Sequence, residues 1–583
     1  MSTVERAESW IEHDPDPQSR AELEPIVKAA KAGDASAQKD LADRFAGPLE
    51  FGTAGLRGVL GAGESRMNLA VVRRTTLGLA RYLLSDVKLE AKKRGVAIGY
   101  DGRRMSKEFA ETAACVLASQ GIPAFVSPGV CPTPVAAYAT TRLQAAAGIM
   151  VTASHNPPEY NGYKVYWGNG AQIIPPHDTG IAAAIAKTPA ADAIEPMPLA
   201  RAREAKLVRG FPEDLERGYL DAVQALSIAQ GGDRSAPIVY TPLHGVGNRL
   251  VRETLARAGF SNVHSVPEQA EPDGEFPTVR FPNPEEKGAL DLAYALADKV
   301  GADIILASDP DVDRLAVALR KPDSGWVQLT GNQVGVLLGH YLLTEGPRED
   351  DRLVLASCVS SPQLGTIARA LGAHYEETLT GFKWIANRAM QLEQDKDCSF
   401  VFGYEEALGY TVGPLVRDKD GISAALLFAE LYARRRAQKK TLFDVLEAVA
   451  REYGFYASSQ LSVTMKGADG LAKIRGVMTH LRATKVDQVG PLAVTAVSDV
   501  EKGERVEGGK ASKLTLPKSD VLFYELEGGS RIIARPSGTE PKIKIYFDVR
   551  EPMRSGEPLA DAEARANARM AELKSAFSAI AGL

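Results

Sequence analysis

The chain has little cysteine, no excess of positive charge and no long apolar run. Its four cysteines, Cys115, Cys131, Cys358 and Cys398, lie far apart with no Cys-x-x-Cys pair among 583 residues. That spacing argues against a disulfide framework and a structural zinc site, and fits a reducing compartment. The formal net charge is −5, so the basic footprint of a nucleic-acid binder is missing. No uninterrupted apolar run reaches the roughly 18 residues that span a bilayer. The first residues, Met-Ser-Thr-Val-Glu-Arg-Ala-Glu, are polar and acidic without the apolar stretch of a secretory signal. A cytoplasmic protein is expected, without nucleic-acid or membrane partners. What is present is ordinary for a soluble globular chain, 45% apolar and 25% charged, and the length suggests about four domains.

Three stretches alternate strand-like apolar runs with helical periodicity, the pattern of parallel α/β layers. In the first, a helix near 69–84 precedes a strand at 96–100, then a helix over 106–119 and strands at 124–127 and 147–151. Residues 188–229, rich in Ala, Pro and charge, read as a connector with some helix. The second stretch has strands at 237–240, 263–266 and 303–307 with helices near 248–258 and 289–299. The third, from about 326 to 440, includes strands at 353–357 and 399–403. Beyond Tyr456, strand-like runs at 461–465, 492–497 and 542–547 frame helices near 471–481 and 560–577, the texture of a smaller α+β domain.

Residues 152–164, Thr-Ala-Ser-His-Asn-Pro-Pro-Glu-Tyr-Asn-Gly-Tyr-Lys, carry the strongest chemical signal. The run 147–151 delivers Ser154 to a polar turn, and Asn156-Pro157-Pro158 stops helix or ladder from continuing. A hydroxyl is thereby fixed at a strand end beside His155, with Lys164 ten residues on, which suits covalent chemistry on serine. An ordinary turn with a capping serine is the alternative.

Residues 308–314, Ser-Asp-Pro-Asp-Val-Asp-Arg, follow the strand at 303–307. Asp309, Asp311 and Asp313 side by side call for a hard cation, for which oxygen ligands are preferred. An EF-hand fails, because its sixth position is Arg314 instead of Gly and its twelfth is Arg320 instead of Glu. Strand ends are where α/β ligands gather, and Mg²⁺ is the expected ion. Residues 535–541, Arg-Pro-Ser-Gly-Thr-Glu-Pro, make a compact anion cradle near Lys542 and Lys544. Arg57 sits among glycines in Phe-Gly-Thr-Ala-Gly-Leu-Arg-Gly (51–58). The clusters 378–384 (Thr-Leu-Thr-Gly-Phe-Lys-Trp), 403–410 (Gly-Tyr-Glu-Glu-Ala-Leu-Gly-Tyr) and 417–421 (Arg-Asp-Lys-Asp-Gly) are further loops; taken alone, the first and last read as capped helix starts rather than sites.

In this order, the segments resemble the α-D-phosphohexomutase superfamily, over nearly the whole chain. They look most similar to its branch of phosphoglucomutases, phosphopentomutases and glucose-1,6-bisphosphate synthase. Residues 49–58, 64–68, 161–172 and 276–286 support that branch. The resemblance implies four domains around a central cleft, the first three similar three-layer α/β/α units with mixed sheets, the fourth smaller and α+β. The expected boundaries are 1–210, 211–322, 323–455 and 456–583, carrying in turn the phosphoserine, metal, sugar and phosphate loops.

It also implies roles. Ser154 is expected to carry the phosphoryl group, with Asp309, Asp311 and Asp313 holding Mg²⁺ together with a Ser154 phosphate oxygen. Arg57 and Arg314 would neutralise charge, His155 would position the loop, and either Lys164 or Lys419 would move the proton. Thr380, Gly381, Lys383 and Glu405 would address the sugar. Arg535, Ser537, Gly538, Thr539 and Lys544 would hold the non-reacting phosphate. The expected activity moves a phosphoryl group between the 1- and 6-positions of glucose, with glucose 1,6-bisphosphate as intermediate and activator. Phosphopentomutase and bisphosphate synthase are the alternatives; a phosphatase or a non-catalytic sugar-phosphate sensor is further removed. Sugar phosphates are the expected partners, and the chain is expected to be monomeric or dimeric. One departure stands out: Ala407 replaces the serine of the hexose-specific pattern, so a hydroxyl beside Glu405 is missing, which weakens discrimination for hexose.

Overall fold

The computed structural model describes all residues except 51–54, 230, 322–323, 348–350, 466–468 and 538–541. The chain forms two compact units, Met1–Leu329 with Gly409–Ala433, and Thr330–Leu408 with Arg434–Leu583.

In the first unit, Val96–Tyr100 and Ala147–Val151 are buried at every position and pair in parallel, as continuous apolar runs do when both sheet faces are covered. They are central in a mixed six-stranded sheet whose order is Leu56–Val59, Tyr160–Trp167, Ala147–Val151, Val96–Tyr100, Ala124–Val126 and Val208–Gly210. The first two pairings are antiparallel. Helices Leu69–Asp86, capped by Asn68, and Ser106–Ser119 bury apolar faces against this sheet. The edge strand Val208–Gly210 lies inside the stretch read as a connector: it is three residues long with one buried, too short for a periodic signal. Three helices, Thr3–His13, Pro17–Lys31 and Ala35–Arg44, precede the sheet and close a small core around Leu23, Val27, Leu41 and Phe45.

A second mixed sheet orders Gly325–Gln328, Ala316–Lys321, Ile304–Ala307, Ile238–Thr241 and Val263–Ser265. Ile304–Ala307 is wholly buried, and the aspartate loop leaves its carboxyl end.

In the second unit, His374–Thr378, Arg352–Ser357 and Ser399–Glu405 run parallel. The C-terminal part is an antiparallel sheet that includes Phe455–Thr464, Lys542–Glu551, Arg531–Pro536, Leu522–Leu526 and Leu492–Asp499. The helix Leu559–Ala581 covers one face with Ala562, Ala566, Met570, Leu573, Phe577 and Ala581, a single stripe at helical spacing. Among the described residues no helix is long and apolar enough to cross a membrane.

Candidate active site

The strand Ala147–Val151 ends three residues before a buried Ser154 whose φ is +53°. A non-glycine residue in the left-handed region costs on the order of 1–3 kcal/mol unless its surroundings fix it. The Ser154 N–H donates to Thr152 Oγ1 at 2.8 Å, and its hydroxyl donates to Asp309 Oδ2 at 2.7 Å. His155 Nδ1 lies 3.2 Å from the same hydroxyl. Burial, then the positive charges of Arg314 and Arg57, hold the His155 imidazole well below its ordinary value, so it stays neutral at neutral pH. Arg57, on the strand Leu56–Val59, donates to Asn156 Oδ1 at 2.9 Å and ties that strand to the serine turn.

The aspartate loop is equally constrained. Val312 sits at φ +62°, unusual for a β-branched residue. The Arg314 N–H donates to Asp309 Oδ1 at 3.0 Å, and Thr133 Oγ1 donates to Asp311 Oδ2 at 2.7 Å. Gly421, which opens the helix Gly421–Ala437, approaches so closely that a Cβ there would lie 2.5 Å from the Arg314 carbonyl oxygen. Asp309, Asp311 and Asp313 are fully buried and offer carboxylate oxygens all within 4.8 Å of one another. Burial and then its two acidic neighbours push Asp309 well above the usual carboxylate range. Asp313 is held far below that range: burial opposes ionisation, but Lys164, Lys419 and Arg314 outweigh it.

Both candidate lysines are here. Lys164 Nζ lies 2.8 Å from Asp311 Oδ2 and 3.0 Å from Asp313 Oδ2; Lys419 Nζ lies 3.1 Å from Asp313 Oδ2. The segment bearing Lys419 is anchored by Asp418, which accepts hydrogen bonds from Tyr166 Oη at 2.8 Å and Gln172 Nε2 at 2.7 Å. Asp420 caps the following helix by accepting from the Ile422 and Ser423 N–H groups. The 417–421 cluster is thus a capped helix start and a supplier of a site lysine at once.

Asp311 Oδ1 and Asp313 Oδ1 are buried with no hydrogen-bond partner among the described residues. Orphaned anionic oxygens converging in a carboxylate triad are the donor set of a hard divalent cation, so these residues fit Mg²⁺.

In the second unit, Gly381, at φ +116°, directs its N–H to Glu405 Oε1 at 2.7 Å just before the helix Phe382–Lys396. Thr380 precedes it, and Lys383 is buried on the first turn with Nζ 5.7 Å from the Trp384 ring. Arg535 and Lys544 are register partners on neighbouring strands, and the Ser537 N–H donates to the Lys542 carbonyl at 2.7 Å. Gly538 and Thr539 lie outside the described residues. Close by on the same strand, buried Arg531 pairs with Glu377 at 2.8 Å and Asp548 at 2.8 Å.

Sequence reasoning missed Arg103. Its buried guanidinium donates to the carbonyls of Ser154, Asn156, Pro157 and Tyr160. The available signal was Asp101-Gly-Arg-Arg at the carboxyl end of a central strand.

Comparison with known proteins agrees with this picture. The four phosphoglucomutase/phosphomannomutase family models match in order: alpha/beta/alpha domain I at residues 48–192, domain II at 217–324, domain III at 330–453, and the C-terminal domain at 485–566. A Schizosaccharomyces pombe protein named "Probable phosphoribomutase" is 39% identical over 563 residues, covering 94% of this chain and 93% of its own. A Staphylococcus epidermidis phosphoglucomutase is 35% identical over 503 residues, covering 86% and 90%. The open form of Paramecium parafusin, a phosphoglucomutase, superposes with a TM-score of 0.65 at 18% identity over 92% of this chain and 96% of its own, a likeness of fold. These similarities and the buried serine–aspartate centre define an isomerase that moves phosphoryl groups on sugars. The chain belongs to the phosphoglucomutase/phosphomannomutase family.

Proposed function

We propose that Ser154 is the phosphoryl carrier of a mutase that exchanges phosphate between the anomeric oxygen and the terminal hydroxymethyl oxygen of an aldose. The observation that carries this reading is the 2.7 Å bond from the buried Ser154 hydroxyl to Asp309, within a triad that has two unsatisfied carboxylate oxygens.

Phosphoryl transfer needs in-line positioning and charge neutralisation more than covalent help. Asp309, Asp311 and Asp313 would hold Mg²⁺ with a phosphate oxygen on Ser154. When bound, the ion supplies positive charge against the transferring group. Arg57 and Arg314 add fixed positive charge on the serine side, and neutral His155 orients the serine turn. The phosphorylated serine gives its phosphoryl group to the free hydroxyl of a sugar monophosphate; the bond to Ser154 Oγ breaks with its electron pair staying on that oxygen, and the hydroxyl proton passes to a lysine in its neutral amine form. The resulting bisphosphate reverses its orientation and returns its other phosphoryl group to Ser154, and a lysine returns the proton.

The Lys419 side chain is 14% exposed against 2% for Lys164 and meets one triad carboxylate where Lys164 meets two. Lys419 is therefore the better placed to meet a substrate hydroxyl, with Lys164 as the structural counter-ion. Thr380, Gly381, Lys383 and Glu405 are proposed to read the sugar. Arg535, Ser537, Gly538, Thr539 and Lys544 are proposed to hold the other phosphate. Glucose 1,6-bisphosphate is the proposed intermediate and primer for a hexose substrate.

Glucose 1-phosphate is the first substrate reading. The pentose reading is favoured by Ala407, which leaves Glu405 without a neighbouring hydroxyl, and by the name of the fungal relative. Steady-state turnover of glucose 1-phosphate and ribose 1-phosphate side by side, with Mg²⁺ and catalytic glucose 1,6-bisphosphate, decides between them. Higher kcat/KM on ribose supports the pentose reading, and higher kcat/KM on glucose supports the hexose reading. Failure on both contradicts the mutase assignment.

A further inference from the structure

Arg103 is a buried cation with no contact to the aspartate triad among its described hydrogen bonds and ion pairs. One guanidinium nitrogen reaches the Pro157 carbonyl at 2.9 Å and the Tyr160 carbonyl at 3.2 Å. The other reaches the Ser154 carbonyl at 2.6 Å and that of Asn156. Nε faces Asp101 Oδ2 at 3.4 Å. All three nitrogens are thus directed at the strand-end turn and the serine loop. A planar fork suits this arrangement, and a lysine ammonium, being a point donor, cannot reproduce it.

The fork is fixed from behind. Asp101 accepts from the Arg103 N–H at 3.0 Å and from Ser106 Oγ at 2.7 Å. A loop from the second sheet's domain closes over it. Phe276, buried and at φ +49°, places its ring 4.9 Å from the guanidinium carbon. Gly274 fits so tightly that a Cβ would lie 2.9 Å from the Gly102 carbonyl oxygen. Arg104 pairs with Glu275 at 3.2 Å alongside.

We infer that Arg103, capped by Phe276, is the positioning residue that holds Ser154 in its left-handed conformation, aligned for in-line phosphoryl transfer. This rests on the reading of Ser154 as the phosphoryl carrier. The carbonyl of the strained residue itself is the acceptor of the 2.6 Å bond. Without the fork, Ser154 could relax to an ordinary φ and carry its hydroxyl away from Asp309. Because Arg103 is directed at the loop, its loss should lower kcat and leave KM nearly unchanged.

The test compares Arg103→Lys, Arg103→Ala and Phe276→Leu with the native enzyme and with Ser154→Ala, measuring kcat, KM and melting temperature on the better of the two sugar 1-phosphates. A displacement of about 1 Å costs on the order of 100-fold in rate, the loss expected in kcat for both Arg103 variants, with KM within about threefold. Arg103→Lys should keep a near-native melting temperature and stay slow. Millimolar guanidinium ion should restore part of the Arg103→Ala rate. Phe276→Leu should show a smaller kcat loss of the same kind. Native kcat in Arg103→Lys, or a folded Arg103→Ala enzyme that guanidinium does not rescue, overturns the inference. If Arg103→Ala does not fold, Arg103→Lys and Phe276→Leu decide: slow turnover at native KM supports positioning, and native turnover in both refutes it. An active Ser154→Ala enzyme would instead refute the carrier reading, a separate outcome.

Discussion

Lys164 and Lys419 place their ammonium groups on the same oxygen, Asp313 Oδ2, at 3.0 and 3.1 Å. The two lysines come from segments more than 250 residues apart, and the shared oxygen is the point where three parts of the chain meet.

Asp313→Asn should loosen both lysines at once. A neutral amide keeps the shape and removes the charge, so kcat should fall by about 10- to 100-fold, as when partners that orient a site are lost. Steady-state kinetics checks this; turnover within about twofold of native would show that neither lysine needs the carboxylate.

The two lysines should separate by stability. Removing one partner of a buried ion pair costs roughly 3–5 kcal/mol, and Lys164 serves two buried carboxylates. Lys164→Met should therefore lower the melting temperature clearly more than Lys419→Met, while Lys419→Met should lose turnover with little loss of stability. The reverse order in thermal melts would exchange their roles.

The triad should couple metal binding to folding. A cation bound only by the folded state stabilises it by about 2.7 kcal/mol at a hundredfold excess over Kd. Magnesium should raise the melting temperature of the native protein, and the rise should vanish in an Asp311→Asn/Asp313→Asn double variant. An equal rise in both would place the metal elsewhere.

Acid sensitivity should begin near pH 6.5. Burial, helped by Arg435, lowers His340 from its ordinary 6.5, and burial lowers His177, whose ring stacks on Trp167 at 3.9 Å. A depressed histidine resists protonation in the folded chain while the unfolded chain accepts it, so stability is intact above 6.5 and declines as pH falls below it. Melting temperature should fall from pH 7 towards 5, and less steeply in His340→Asn. An unchanged slope in that variant would rule out His340 as a contributor.

The elements legible in sequence were those whose packing matches a simple period. Residues 96–100, 106–119 and 147–151 are found where the apolar runs place them, because the central parallel strands bury every residue and the helix buries a broad apolar face. Ser154, the three aspartates and both lysines could be named because their chemistry resides in side-chain type and spacing. Arg103 was missed: apart from Asp101 its partners are backbone carbonyls some 50 residues away, so the strand-end Asp101-Gly-Arg-Arg did not by itself tell what the guanidinium holds. The strand Val208–Gly210 and the weight of Phe276 likewise depend on tertiary neighbours.

The central claim is that Ser154 carries the phosphoryl group. Incubation with glucose 1,6-bisphosphate and Mg²⁺, followed by intact-mass and peptide analysis, tests it directly. One phosphate on Ser154, together with a Ser154→Ala protein that takes up none and does not turn over, is the predicted result. Full turnover by Ser154→Ala, or phosphate on another residue, would contradict the account.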